Sequence, residues 1–259
     1  MIKDDNIFAE ERKKMIVDFV NKNSKATVSD LSELYSVSSS TIRNDLRDLE
    51  NGGFLRRTHG GAVSCRSVNF EANSYEKAVE RSEYKKQIAK KARSFIKNGD
   101  TIALDTGTTT YELALLLGDL EDLMVVTYDL EIASYLERNT RAHIFMAGGR
   151  VRRDYHCTYG KKALDSVADL NVDKAFIGAN GISLSRGITT PNIDAAQMKT
   201  LFINIATKSY LLADSSKFEK TSFSQFAEFA DIDAIITDSE TPPEFAEAVR
   251  QKGVEIIME

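Results

Sequence analysis

Three features of the sequence predict two domains: an N-terminal all-α unit built as a winged helix-turn-helix, and a C-terminal α/β domain with a mostly parallel sheet. Residues 9–51 show helical periodicity and close on a short glycine-bounded hairpin at 54–63. From residue 101 onward, short apolar runs alternate with helical stretches, the pattern of strands covered by helices. Between these parts, residues 64–74 (Ser-Cys-Arg-Ser-Val-Asn-Phe-Glu-Ala-Asn-Ser) are polar, lack a strong period and read as a linker. The chain of 259 residues is long enough for one or two domains. The expected boundaries are 1–63, 64–74 and 75–259.

In the first part, a helix over Glu10–Lys22 places Met15, Ile16, Phe19 and Val20 on one face, expected to be core. A second helix starts near Thr27, which stands at capping-box spacing from Asp30. Leu31, Leu34 and Tyr35 form its apolar stripe. After the turn Ser36-Val37, Ser38 or Ser39 caps a third helix with Ile42, Leu46 and Leu49 inward. Helix, tight turn and helix form the motif whose second helix enters the DNA major groove.

The outward residues of that third helix are Ser39, Ser40, Thr41, Arg43, Asn44 and Arg47. Arginine bonds guanine bidentately, asparagine does so with adenine, and hydroxyls bond phosphate or base. For the helix alone, a solvated polar face reads as well. The following stretch shifts the balance. Gly52-Gly53 end the helix, Phe54-Leu55 begin a strand, Arg56 and Arg57 add charge, Gly60-Gly61 turn, and Ala62-Val63 return. This is a two-stranded wing, and His59 at its tip suits a surface residue better than a base reader. Thr27 and Ser38 complete the DNA-contact candidates.

The net charge of −5 at first argues against nucleic acid. Its distribution matters more. Residues 38–66 hold Arg43, Arg47, Arg56, Arg57 and Arg66 against Asp45, Asp48 and Glu50, so the acidic excess lies elsewhere. No apolar run approaches the ~18 residues of a membrane span. The polar start Met1-Ile2-Lys3-Asp4-Asp5-Asn6 is no secretory signal, and a cytoplasmic location is expected. Cys65 and Cys157 stand far apart and His59, His143 and His156 are scattered, which gives no metal-type spacing and no expected disulfide. No cofactor is expected.

In the second part, a helical pattern over 75–96 (Ala78, Ile88, Ala89, Ala92, Ile96) ends at Asn98-Gly99-Asp100. Strands are expected at Thr101–Leu104, Met124–Val126, His143–Met146, Ala175–Ile177, Tyr210–Ala213, Ala234–Thr237 and Val254–Ile257. Helices are expected at Thr109–Leu117, Leu130–Arg138, Lys162–Asp169, Ala195–Thr207 and Glu244–Lys252. Several expected strands end in loops with anion- or sugar-binding chemistry. Asp105-Thr106-Gly107-Thr108-Thr109-Thr110 presents backbone N–H groups and hydroxyls at a helix start, without the Gly-Lys-Ser/Thr of a P-loop. Ala147-Gly148-Gly149-Arg150 joins close backbone approach to a charged fork. Gly178-Ala179-Asn180-Gly181 and Asp214-Ser215-Ser216-Lys217 follow further strands. Each alone reads equally as an ordinary turn; together they stand where open α/β sheets bind ligands. Lys199, inside a helix, reads by itself as a solvated lysine.

Val-Ser-Ser-Ser-Thr-Ile-Arg-Asn-Asp-Leu-Arg-Asp-Leu-Glu (37–50) with Leu-Arg-Arg-Thr-His-Gly-Gly-Ala-Val (55–63) resembles the N-terminal signature of the DeoR family of bacterial sugar-metabolism repressors. One departure is Asn44, where that family usually has a second arginine. The segments 105–110, 125–127 (Val-Val-Thr), 148–150, 174–179 (Lys-Ala-Phe-Ile-Gly-Ala), 187–191 (Gly-Ile-Thr-Thr-Pro) and 213–218 (Ala-Asp-Ser-Ser-Lys-Phe) are similar, in that order, to the family's effector domain. The resemblance spans about residues 9–257. It implies a C-terminal fold like ribose-5-phosphate isomerase that binds a phosphorylated sugar. It implies ligand contacts at Asp105, Gly107, Thr108, Thr109, Thr127, Gly148, Gly149, Arg150, Asn180, Lys199, Asp214 and Lys217.

At Asn180 the family commonly has Asp, and at Tyr128-Asp129 it usually has Asn-Ser, which points to an unusual sugar preference. An aldose–ketose isomerase needs a base beside the carbonyl, and an amide cannot serve. The expectation is therefore a non-enzymatic, homo-oligomeric regulator, most simply a repressor of a sugar operon, with operator DNA and a phosphorylated sugar as partners. The rival readings are an isomerase-like enzyme with an accessory DNA-binding domain, and an adaptor that no longer binds DNA.

Overall fold

The computed structural model describes residues 8–23, 25–52, 54–64, 71 and 74–259. The chain divides into two compact units, Met1–Phe70 and Glu71–Glu259. The expected linker at 64–74 lies mostly outside the described residues, as do Met1–Asn6, Gly53, Cys65 and Arg66.

The first unit runs α1 (Ala9–Asn23), β1 (Lys25–Thr27), α2 (Val28–Leu34), α3 (Ser39–Asn51), β2 (Leu55–Thr58) and β3 (Gly61–Ser64). The capping box forms in full: Thr27 Oγ1 accepts from the Asp30 N–H at 3.1 Å, and the Thr27 N–H donates to Asp30 Oδ2 at 3.1 Å. Ser38, not Ser39, caps α3, its Oγ accepting from the Thr41 N–H at 3.2 Å. Ile16, Val20, Leu31, Tyr35, Ile42, Leu46, Leu49 and Leu55 form the core. Two residues expected inside it lie outside: Met15 is 40% exposed and Leu34 51%. In each helix the inward i, i+4 pair, Ile16 with Val20 and Leu31 with Tyr35, fills the contact, and the neighbour one step off is rotated away by about 100°. The wing is also wider than expected. β1 pairs with β3, giving a three-stranded antiparallel sheet in the order β1-β3-β2.

The second unit opens with α4 (Ser74–Val79) and α5 (Ser82–Arg93). The single helix expected over 75–96 is thus two, broken at Arg81, which adopts φ 54°, a left-handed conformation uncommon outside glycine. There follow β4 (Thr101–Leu104), α6 (Thr108–Ala114), β5 (Met124–Thr127), α7 (Leu130–Asn139), β6 (His143–Met146), β7 (Arg150–Arg152), β8 (Cys157–Tyr159) and α8 (Lys161–Val167). The rest comprises β9 (Val172–Gly178), β10 (Gly181–Ser183), β11 (Gly187–Thr190), α9 (Ile193–Asn204), β12 (Ala206–Leu212), β13 (Ser224–Ala227), β14 (Ala234–Thr237), α10 (Pro243–Arg250) and β15 (Glu255–Met258).

Seven of these strands form one parallel sheet in the order β15-β14-β12-β9-β4-β5-β6. Successive side chains alternate between its faces. Ile102, Leu104, Phe176 and Tyr210 pack with the apolar sides of α5, α6 and α7. Ala103, Ala175, Ile177 and Leu211 pack with those of α8, α9 and α10. The inner strands β14, β4 and β5 are buried on both faces and therefore read as apolar runs, whereas the edge strand β6 is partly exposed. From β4 the chain proceeds outward through β5 and β6, then returns to place β9 on the other side of β4 and builds outward again. The seam between β4 and β9 is the topological switch point, where open α/β sheets take ligands. Two antiparallel additions carried no alternating signal: the β7–β8 hairpin and the sheet β10-β11-β13.

Candidate nucleic-acid interface and ligand cleft

On α3, Ile42, Asp45, Leu46 and Leu49 are buried, while Ser40, Arg43, Asn44 and Arg47 are exposed. The three acids of this helix are each engaged away from that face. Asp45 accepts from Arg12, Nε to Oδ2 at 2.6 Å and Nη2 to Oδ1 at 3.2 Å. Asp48 pairs with Lys13 at 3.0 Å, and Glu50 accepts from the Arg57 N–H at 2.8 Å. The outward face is left cationic. Arg47 Nη2 donates to Asn44 Oδ1 at 2.9 Å, so the asparagine orients the arginine beside it. At the helix start the Ser38 hydroxyl lies 2.7 Å from that of Ser40 and 2.8 Å from that of Thr41. Ser39 is half-buried. Thr27, Arg56, Arg57 and His59 are exposed, and Arg57 leans toward Glu50. Lys25 on β1 adds an exposed cation that its three-residue strand did not reveal in sequence.

In the second unit, one cleft opens at the β4/β9 switch point. Gly107, Thr108, Thr109, Asn180, Lys199, Asp214 and Lys217 line it. Gly107, at φ 145°, turns the chain from β4 into α6 in a conformation that side chains rarely adopt. Beneath the cleft lies Asp105, fully buried. Its Oδ1 accepts from the Tyr128 hydroxyl, and its Oδ2 from the Gly178 N–H at 2.8 Å and from Lys199 Nζ. The carboxylate is thereby consumed inside the protein. It seats Lys199 and joins the ends of β4 and β9, and it does not line the cleft. Lys199, only 4% exposed, is no solvated lysine; it also donates to the Gly178 carbonyl at 3.0 Å. Asp214 lines the cleft with its oxygens engaged by the Ser216 N–H at 3.1 Å and by Arg81 at 3.2 Å. Burial opposes its charge, but Lys217, Ser216 and Arg81 outweigh burial and hold the carboxyl below the usual range.

Four other expected ligand residues lie away from this cleft. Thr127 is buried, its hydroxyl accepting from the Asp129 N–H at 3.1 Å. Gly148 and Gly149 lead into β7, and a Cβ at Gly149 would meet the Tyr159 carbonyl oxygen at 2.6 Å, so that glycine serves close packing against β8. Arg150 is exposed and stands 5.4 Å above the Tyr159 ring. Tyr128 and Asp129 do not line the cleft either: one bonds Asp105, the other caps α7.

The cleft instead receives Lys77, Lys85, Arg152, Glu71 and Thr190, none singled out in sequence. Lys85 carried a legible signal, since it stands at helical spacing with Ile88, Ala89 and Ala92 on the apolar face of α5. Its ammonium donates to the carbonyls of Lys77 and Glu80 at the end of α4. Burial, reinforced by nearby Lys217, pushes it down to about 8. Lys77 is also lowered by burial, which Glu71 offsets only in part, while Lys199 and Lys217 add repulsion. Asn180 supplies no base, its Oδ1 accepting from the Thr190 hydroxyl at 3.0 Å. Among the described residues no helix is long and apolar enough to cross a membrane, and no cluster of metal-type ligands occurs.

Two family descriptions match this arrangement. The DeoR-like helix-turn-helix domain matches residues 12–68, and the DeoR C terminal sensor domain matches residues 80–239. The chain belongs to the DeoR family. Its relatives include a putative aga operon transcriptional repressor of Escherichia coli O157:H7, 34% identical across 96% of this chain and 93% of the relative. The HTH-type transcriptional repressor GlcR of Bacillus subtilis is 33% identical over 97% of both chains. A solved D-ribose-5-phosphate isomerase in complex with phospho-erythronic acid is similar at a TM-score of 0.40, with 24% identity over 53% of this chain and 54% of that one. Full-length relatives named as regulators make this DeoR-family chain a DNA-binding transcription regulator and not an enzyme.

For this regulator, Arg47→Ala should weaken binding to a duplex selected by the wild-type protein by about 1–3 kcal/mol and relax its base preference. If Arg47 contacts phosphate instead, binding should weaken uniformly and the slope of log K against log salt should fall by about 1. Fluorescence anisotropy at several salt concentrations reads both. An unchanged affinity and slope would remove α3 from the groove.

Proposed function

We propose that this protein represses a sugar uptake or catabolism operon, and that a phosphorylated sugar held in the switch-point cleft releases it from DNA. The observation carrying this reading is electrostatic. Lys77, Lys85, Arg152, Lys199 and Lys217 converge on one cleft against Glu71, Glu80 and Asp214. Burial, reinforced by neighbouring lysines, weakens the protonation of Lys77 and Lys85. Such a site favours an anion, and the hydroxyls of Thr108, Thr109 and Thr190 with the Asn180 amide suit the polyol of a sugar. The repressor names of full-length relatives support the sign of regulation. A single winged unit reads a short site, so a dimer or tetramer on repeated half-sites is part of the proposal. Light scattering of the free protein checks it: a monomer at working concentration would remove it. A cytoplasmic location goes with an intracellular sugar phosphate.

The test is a thermal-shift screen against sugar phosphates. At 100 times its Kd a ligand stabilises the protein by about 2.7 kcal/mol. If no phosphorylated sugar shifts the melting, the effector reading falls. The pH dependence gives an internal check. The Lys85 ammonium, depressed by burial and by Lys217 and Lys77 against the opposing Asp214 and Glu80, is half deprotonated near pH 8. An anion favours the charged form and raises that value. Binding should therefore take up protons between pH 7.5 and 9, and affinity should fall as pH rises through this window. Calorimetry in buffers of different ionisation enthalpy measures the uptake. Lys85→Met should abolish it.

A further inference from the structure

Glu71 is the first residue of the second unit, and its carboxylate reaches the cleft. Oε1 accepts from Lys77 Nζ at 2.7 Å, and Oε2 lies 2.8 Å from Arg152 Nη1. Both cations line the same cleft. Burial works against the charge of Glu71, yet Lys77 and Arg152 outweigh it and keep the carboxyl below its ordinary range. The surroundings fix this arrangement from two sides. Arg152 stacks 3.6 Å from the centre of the Tyr155 ring, and the Tyr155 hydroxyl donates to the Glu71 carbonyl at 2.8 Å. The Ser74 N–H donates to the Asp154 carbonyl at 3.1 Å. The β7–β8 hairpin thus grips Glu71 and Ser74 through its tip. This contact is what the Gly148-Gly149-Arg150 corner leads into, two residues before Arg152.

We propose that Glu71 is an internal anion that competes with the ligand for Lys77 and Arg152, and that an anion entering the cleft displaces it. The inference rests on the reading of the cleft as an anion site. Two cations cannot satisfy a resident carboxylate and an incoming dianion equally, so occupancy by one disfavours the other. Displacement frees the residue at which the chain passes from the DNA-binding unit to the sensor unit. Ligand binding then has a direct mechanical consequence at that junction, and it requires only that the anion bind the Glu71-released state better than the Glu71-bound one. Lys85, which donates to the carbonyls of Lys77 and Glu80, keeps the end of α4 in register while Lys77 changes partner.

The test uses the full chain and inorganic phosphate as probe, with calorimetry for affinity and hydrogen–deuterium exchange for the segment. If Glu71 holds the cations about nine-tenths of the time, Glu71→Gln should bind phosphate about tenfold more tightly. In the wild type, saturating phosphate should speed amide exchange in peptides covering 71–79; in Glu71→Gln that exchange should be fast already and insensitive to phosphate. Glu71→Asp, with the charge drawn back by one methylene, is a second variant and should bind with intermediate affinity. Equal or weaker binding by both variants, or slower exchange at 71–79 on adding phosphate to the wild type, would overturn the proposal while leaving the anion site standing. Failure of phosphate and of the sugar phosphates to bind the wild type would overturn both.

Discussion

Asp105→Ala should cost the sensor unit about 3–5 kcal/mol, because it strands the Lys199 ammonium in the interior. Lys199 is only 4% exposed, and Asp105 is the acid it pairs with; its ammonium otherwise meets the Gly178 carbonyl and, 5.6 Å away, the Phe226 ring. The same change removes the acceptor of the Tyr128 hydroxyl and of the Gly178 N–H. A domain with a net stability of about 5–15 kcal/mol loses much of its margin. Urea denaturation of the full chain, followed by circular dichroism, should show the main transition moved to lower urea. The double variant Asp105→Ala/Lys199→Met should recover more than half of the loss, since the stranded charge is then gone. A loss below about 1 kcal/mol in the single variant would mean that the pair is not buried as described.

The second large effect belongs to the first unit. Arg12→Ala leaves Asp45, 4% exposed, without the guanidinium that meets both its oxygens. Breaking a buried pair from one side costs about 3–5 kcal/mol. A unit of this size has little stability to spare. DNA binding should be lost at 25 °C, while the sensor unit keeps its melting and its response to phosphate. Arg12→Lys should restore little, because an ammonium cannot offer two parallel N–H bonds. Retained DNA binding by Arg12→Ala would show that Asp45 finds another partner.

The inner part of the sheet was legible in sequence because its strands are buried on both faces, so Thr101–Leu104, Met124–Thr127 and Ala234–Thr237 appear as apolar runs. β1 was not, since three residues cannot show an alternation, and helical periodicity ran across Arg81 without marking the break. The loops of the cleft were found at the right strand ends, but two kinds of residue within them look alike. Asp105 and Thr109 share one motif, yet one is spent on Lys199 and the other lines the opening. Which way a side chain faces depends on distant partners, for Asp105 on Gly178 and Lys199, 73 and 94 residues away, and no local pattern encodes that. Lys77 and Arg152 escaped for the same reason. In a charged stretch a lysine reads as solvated until the fold brings another segment over it.

The division of labour along α3 has a consequence for how such a regulator changes its targets. Ile42, Asp45, Leu46 and Leu49 hold the helix in place, while Ser40, Arg43, Asn44 and Arg47 make no part of that core. Base preference can drift at the second set without eroding the first. Paralogues can then acquire new binding sites by a few surface substitutions while keeping the same sensor.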